Sequence, residues 1–122
     1  MAAGWDSITL RKWLNAIGIK RHLKGFDYFA EAVRISLDDA SLLYEITKGM
    51  YPRIADKYDT TAECVERSMR HAICSAWKDE KCNIRNMFAY KPTNGTFIRY
   101  VTYRFMASDA EKASDMCMVE DE

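Results

Sequence analysis

Residues 51–77 constrain the fold of this 122-residue chain more than any other stretch, because they predict two helices joined by a tight turn. Pro52 suits the first position of the shorter helix, where its missing N–H costs nothing. Ile54, Ala55 and Tyr58 give that helix its apolar face. A short helix, a turn and a longer helix form the pattern of a helix-turn-helix, whose second helix enters the major groove of DNA.

The second helix follows the turn Asp59-Thr60 and is predicted over residues 61–77. Thr60 and Glu63 have the spacing of a capping box, in which each side chain bonds the other's backbone N–H. Apolar residues then recur at helical spacing and predict a buried stripe formed by Val65, Met69, Ile73, Ala76 and Trp77. The opposite face is polar and carries Glu63, Glu66, Arg67, Arg70 and His71. We therefore predict a recognition helix with a charged outer face.

The chain before this unit also has helical spacing. Asp6 or Ser7 can cap a first helix, which Gly18 ends and which turns Leu10, Trp13, Leu14 and Ile17 inward. Residues 18–25 then form a basic connector.

Two more helices are predicted between this connector and the helix-turn-helix. One starts near Phe26 and ends at Asp38 or Asp39, with Phe29, Val33 and Leu37 inward. The same aspartates can cap the next helix, which has Leu42, Leu43 and Ile46 on its core side and is broken by Gly49.

The C-terminal part begins with a short helix predicted over residues 84–88, followed by a turn with a built-in N-cap at residues 91–95. Residues 96–106 are ambiguous, because their aromatic and β-branched residues also suit a strand. Phe97, Val101 and Phe105 lie four apart, which favours a helix. A lone strand would have no partner in a helical chain, so we predict an all-α fold with a central helix-turn-helix over residues 52–77.

The net charge of zero hides a segregation of charge along the chain. Residues 107–122 hold six acids and one base, which leaves 17 bases against 12 acids in residues 1–106. We predict a modestly basic domain over residues 7–106, which suits a nucleic-acid partner, and an acidic C-terminal tail over residues 107–122. The alternative is that the tail is only a solvated extension of a neutral domain.

Other functional classes lack support in the sequence. No apolar run approaches the roughly 18 residues of a membrane span, and no signal peptide is evident, so we expect a cytosolic protein without a membrane partner. The cysteines lack paired spacing and are expected to be free thiols: Cys64, Cys74, Cys82 and Cys117. There is no Ser/His/Asp set, glycine-rich phosphate loop or metal-ligand spacing. We therefore expect no enzymatic activity, no catalytic residue, no cofactor and no metal.

Two sequence blocks resemble the DNA-binding effector domain of the sporulation initiation response regulator of endospore-forming bacteria. The first is Tyr-Pro-Arg-Ile-Ala-Asp-Lys-Tyr at residues 51–58, continuing through residues 60–62, 65–67, 70–73 and 76–77. The second is Lys-Pro-Thr-Asn at residues 91–94, followed by Phe-Ile at residues 97–98. Weaker similarity extends over residues 7–105. The resemblance implies about six helices, with the long helix in the major groove of duplex DNA and the domain acting as a homodimer or as tandem copies.

The resemblance implies contacts with bases and nearby phosphates at the positions of Glu66, Arg67, Arg70 and His71, and the chemistry of the residues suggests the role of each. Base contacts are expected from Glu66, Arg67 and Arg70, because arginine can donate two hydrogen bonds to guanine and glutamate can accept one from cytosine. Phosphate contacts, which position a protein without reading sequence, are expected from Thr60, Thr61, His71, Arg53 and Lys91. The alternative is that Glu66 and Arg70 simply pair with each other on a solvated helix, for about 0.2–0.5 kcal/mol.

Several departures from the family support a second hypothesis. Cys64 stands where the family has a base-reading arginine, the loop before Lys91 is shorter, and the acidic tail is unmatched. The residues before Ser7 leave no room for the family's phospho-receiver domain, so we expect constitutive binding or control by dimerisation or another protein. The second hypothesis is an interaction protein with impaired DNA binding, which modulates RNA polymerase or a full-length regulator. For Cys64 itself, a small filler is favoured over a redox switch.

Overall fold

The computed structural model describes the backbone of residues 7–110 and the side chains of residues 8–107. This part of the chain contains six α-helices and no strand, so the predicted all-α class is confirmed. The helices are α1 (Ser7–Ile17), α2 (Lys24–Asp38), α3 (Tyr51–Tyr58), α4 (Ala62–Lys78), α5 (Ile84–Met87) and α6 (Asn94–Ala110). Helix α6 passes the predicted start of the tail at residue 107. Asp6, Cys117 and the rest of the tail lie outside the described residues.

Helix α2 is the centre of the packing, because it contacts α1, α3, α4 and α6. Its apolar residues lie on more than one face, and the ring of Phe29 meets that of Phe97 on α6 edge to face at 4.9 Å. The predicted inward positions of α6 are confirmed, since Phe97, Val101 and Phe105 are all buried. Placing α2 in the middle leaves α4 with one side on the core and the other in solvent.

Gly25 sets the distance between α2 and α4 at their closest approach. A Cβ atom at this position would lie 2.5 Å from the Ser68 carbonyl oxygen and 2.7 Å from the Ala72 Cβ atom. Both obstacles belong to α4, and the first is backbone that cannot rotate away. Only a glycine therefore allows the first turn of α2 to support the middle of α4.

The third helix predicted around residues 42–46 is wrong. Residues 40–44 form a 3₁₀ turn and residues 46–50 a wider π-type turn, with Glu45 between them in a non-helical conformation. The cap at Asp39 is confirmed, because its carboxylate accepts a hydrogen bond from the Ser41 amide at 3.1 Å.

Gly49 also has a different role from the predicted helix breaker. It lies inside the wider turn, where a Cβ atom would come within 2.9 Å of the Leu42 side chain. The turn runs directly into α3, so Gly49 lies at a close approach to Leu42 and does not end a helix.

A buried carboxylate joins α2 to α3. Glu31 is 6% exposed, and it accepts hydrogen bonds from Arg34 at 2.6 Å and from Lys57 at 2.9 Å. Burial alone would raise the pKa of Glu31, but the bonds from the two cations outweigh it and hold that pKa below its usual value. The ionised form is therefore the one that stabilises the fold.

This lowered pKa predicts an acid-dependent loss of stability. Because the folded-state pKa lies below the unfolded one, the contribution of Glu31 is present at neutral pH and is lost as pH falls through the folded-state pKa. Glu31→Gln should cost about 1–2 kcal/mol at pH 7, since both cations are half exposed and can recover some hydration. Urea unfolding of parent and variant should show this gap narrowing below about pH 4. Glu63→Gln, on an exposed side chain, is the matched control, and a gap that stays constant to acidic pH would contradict the assignment.

Candidate nucleic-acid interface

The tight turn between α3 and α4 is built around Asp59. This residue has left-handed backbone angles, φ 56° and ψ 50°, and follows the last residue of α3. The Thr60 amide then donates to the Ala55 carbonyl at 2.9 Å, the bond that closes a Schellman motif. Aspartate tolerates the left-handed region better than most residues, so the sequence supports this sharp reversal.

The predicted capping box at Thr60 is wrong by one residue. Thr61 is the N-cap of α4, and its hydroxyl accepts a hydrogen bond from the Cys64 amide at 3.1 Å. Thr60 instead belongs to the end of α3, because its amide donates to the Ala55 carbonyl at 2.9 Å. Helix α4 consequently starts at Ala62, and the described residues show no return bond from Glu63.

Helix α4 is divided cleanly into a buried and an exposed side. The predicted stripe is confirmed: four of its residues are at most 1% exposed and Trp77 is half-buried. The opposite side exposes Glu63, Arg67, Arg70 and His71. Arg67 lies at the middle of this outer face and forms no ion pair with any residue that the structure describes. Its guanidinium donors therefore face solvent.

Glu66 and Arg70 pair with each other. The guanidinium of Arg70 donates to both carboxylate oxygens of Glu66, at 3.0 and 2.9 Å. This bidentate pair lowers the pKa of Glu66 and raises the pKa of Arg70. This geometry is the one expected if Glu66 and Arg70 simply pair with each other on a solvated helix. The pairing also keeps both candidate base-contact side chains charged and close together.

Asn94 fixes the position of this part of α4. It is buried, and its amide nitrogen donates to the Tyr51 hydroxyl at 3.0 Å and to the Glu66 carbonyl at 3.1 Å. One side chain at the start of α6 thus ties together both helices of the helix-turn-helix. The sequence marked residues 91–95 as a turn with an N-cap, which Thr93 supplies by accepting from the Thr96 amide, but it did not indicate this bridge.

The candidate phosphate contacts come from separate elements. Arg53, Thr61, His71 and Lys91 are exposed, and Thr60 is half-buried. Lys91 reaches the outer face of α4, because its Nζ atom lies 3.2 Å from the Cys74 Sγ atom. Arg53 lies on α3, and its charge adds to the hydrogen bonds from Ser41 that lower the pKa of Asp39.

Cys64 lies in the first turn of α4, partly exposed at the edge of the outer face. Its pKa is lowered by hydrogen bonds from the Thr61 and Thr60 side chains and by the charge of Arg67. Cys64, Cys74 and Cys82 are free thiols, as predicted for the cysteines that the structure describes.

Within residues 7–110 no group of three acidic, cysteine or histidine side chains is arranged to hold a metal ion. No helix in the same range is long and apolar enough to cross a bilayer.

An exposed, arginine-bearing helix held as the second member of a helix-turn-helix defines the DNA-binding domain of a transcription regulator. The family model described as "Sporulation initiation factor Spo0A C terminal" matches residues 10–105, more than three quarters of the chain. The chain belongs to this family, the DNA-binding domain of a sporulation regulator, and the resemblance drawn from residues 51–98 is confirmed.

Proposed function

We propose that this protein is a sequence-specific transcription regulator that binds double-stranded DNA with α4 in the major groove. The observation that carries the proposal is Arg67, which stands in the centre of the exposed face with no ion pair to any described residue. An arginine in this position can donate two hydrogen bonds to guanine O6 and N7. The paired side chains of Glu66 and Arg70 lie one turn away or less and complete the base-reading surface.

The phosphate contacts are assigned to Arg53, Thr60, Thr61, His71 and Lys91. The hydroxyls of Thr60 and Thr61 lie beside the N-terminus of α4, where backbone N–H groups also favour an anion. His71 follows Arg67 by four residues and therefore lies on the same side of the helix. These contacts would fix the orientation of α4 without selecting sequence.

The proposal is tested by binding to the duplex element of the family, the 0A box. Fluorescence anisotropy with this element and with a scrambled duplex of equal length should show tighter binding to the element. The affinity for both should fall as salt rises, because phosphate contacts release counterions. Equal affinity for both duplexes would contradict sequence-specific recognition.

A second candidate function is favoured by the Glu66–Arg70 pair. This pair neutralises one of the cations on the outer face, and Cys64 supplies no charge where the resemblance to the family implies an arginine. The protein would then act by binding a full-length regulator or RNA polymerase, with weak affinity for DNA. Affinity purification that recovers such a partner, together with the absence of binding to any duplex at low salt, would support this function over the first.

An arginine introduced at position 64 tests whether this position faces a base. Cys64→Arg should tighten binding to the family element by about 1 kcal/mol, roughly fivefold, because a guanidinium in the first turn of α4 regains a base contact. The scrambled duplex should gain much less. Asn15→Arg adds the same charge to the exposed surface of α1 and serves as the control. If the two variants behave alike in anisotropy titrations, position 64 does not face a base.

A further inference from the structure

The recognition helix is flanked by two open hollows. The larger, about 800 Å³, lies between α4, the turns of residues 40–50 and the start of α6, and we call it the α6-side hollow. The smaller, about 320 Å³, lies between α4 and the connector of residues 18–25, and we call it the connector-side hollow. Cys74 lines both hollows, so they adjoin each other, one on each side of the outer face of α4.

Helix geometry places the two hollows on opposite sides of a ridge on α4, which we define by Arg67, Cys74 and Lys78. With about 100° per residue, Arg67, Cys74 and Lys78 fall within roughly 20° of one line along α4. Glu66 and Arg70, which line the α6-side hollow, fall to one side of this line. His71 and Ser75, which line the connector-side hollow, fall to the other. A helix in the major groove meets the two DNA backbones in the same way, one on each side.

Both hollows are rich in cations. The α6-side hollow has Lys48, Arg70, Lys91 and Arg99 against Glu45 and Glu66. The connector-side hollow has Lys20 and Lys78 against Asp79, with His71 beside them. Each hollow therefore carries a net positive charge at neutral pH.

Two of these lysines are available for a new partner. Lys48 and Lys78 are exposed, and neither pairs with an acid among the residues that the structure describes. The other cations are partly engaged: Lys20 lies 3.4 Å from Asp79, and Arg99 donates to the Leu43 carbonyl at 3.0 Å. Lys48 and Lys78 are therefore cations of the two hollows whose charge is not neutralised by an acid among the described residues.

We infer that the two hollows receive the phosphates of the two DNA strands, with Lys48 and Lys78 as phosphate contacts on opposite backbones. The inference rests on the proposed function, since it needs α4 in the major groove. It adds one contact on each side of the ridge to those assigned above. The roughly 12 Å width of the groove leaves room for α4 while its flanks meet both backbones.

The test uses the salt dependence of binding by the full chain. Each lysine that neutralises a phosphate contributes about 0.9 to the slope of log affinity against log salt. Lys48→Ala and Lys78→Ala should each lower the magnitude of this slope by about 0.9, and the double variant by about 1.8. The loss should be equal for the family element and a scrambled duplex, because phosphates carry no sequence information. Lys12→Ala, which removes an exposed lysine from α1, is the matched control.

The outcomes distinguish a failure of this inference from a failure of the proposed function. Slopes that fall for both variants and stay constant for Lys12→Ala support the two-sided arrangement. If the parent prefers the family element but Lys48→Ala or Lys78→Ala matches the control, the inference is overturned and the proposed function stands. If the parent binds no duplex at low salt, the proposed function fails and the inference fails with it.

Discussion

Arg67→Ala should weaken binding to the family element by about 1–3 kcal/mol, which is roughly 5- to 150-fold in Kd. The loss is expected because Arg67 is exposed at the centre of α4 and lacks an ion pair with the described residues. A guanidinium bonded to a guanine edge contributes discrimination as well as charge, so the affinity for a scrambled duplex should fall much less. The ratio of the two affinities, measured by anisotropy at a fixed salt concentration, is the quantity to follow.

Arg67→Lys isolates the geometry of this contact from its charge. Lysine keeps the positive charge but cannot present the planar pair of donors that guanine accepts. We expect it to retain most of the affinity for the scrambled duplex and to lose most of the preference for the element. Lys12→Ala serves again as a charge control on a different helix. Wild-type preference in both Arg67 variants would remove the basis of the base-reading assignment.

The helices of the interface were predictable because their sequence signals are local. The stripe of α4 repeats over four turns and coincides with its buried side. In α6, the spacing of Phe97, Val101 and Phe105 outweighed the β-branched and aromatic composition that suits a strand. Periodicity over three or more turns is a strong signal, because burying one face fixes the whole helix.

The errors fall where two local signals compete. Thr60 and Thr61 have the same capping chemistry, so the choice between them depends on where α3 ends. The left-handed backbone of Asp59 brings the Thr60 amide to the Ala55 carbonyl, and this bond makes Thr60 part of the end of α3. Around residues 40–50, the spacing of the leucines suggests a helix. The contact of Gly49 with Leu42 and the bond from Arg99 to the Leu43 carbonyl instead favour two short turns. Neither contact can be read from neighbouring residues.

The arrangement around the outer face depends on residues far apart in sequence. Asn94 reaches the carbonyl of Glu66, and Lys91 reaches Cys74, across 28 and 17 positions. The sequence identified the charged face of α4, but not that its flanks are completed by the connector, the turns before α3 and the start of α6. Such contacts follow only from the packing of α4 and α6 around α2.

That packing predicts the largest loss of stability for Phe97→Ala. The Phe97 ring is fully buried and meets Phe29 at 4.9 Å and Phe88 at 6.0 Å between ring centroids. Removing a buried phenylalanine costs about 3–5 kcal/mol, because the transfer energy is lost and a cavity remains. A domain of this size has only about 5–15 kcal/mol of unfolding free energy in total. The midpoint of urea unfolding should therefore fall steeply.

The matched control for Phe97 lies on the same helix. Tyr103 is 44% exposed and makes a surface hydrogen bond to Tyr44 at 3.1 Å, so Tyr103→Ala should cost about 1 kcal/mol or less. Asn94 lies one turn before Phe97, so loosening α6 should also weaken the bridge that holds α4. Hydrogen exchange at the amides near Glu66 should then become faster in Phe97→Ala and stay unchanged in Tyr103→Ala. Equal losses of stability in the two variants would show that the Phe29–Phe97 contact does not anchor α6 to the centre of the fold.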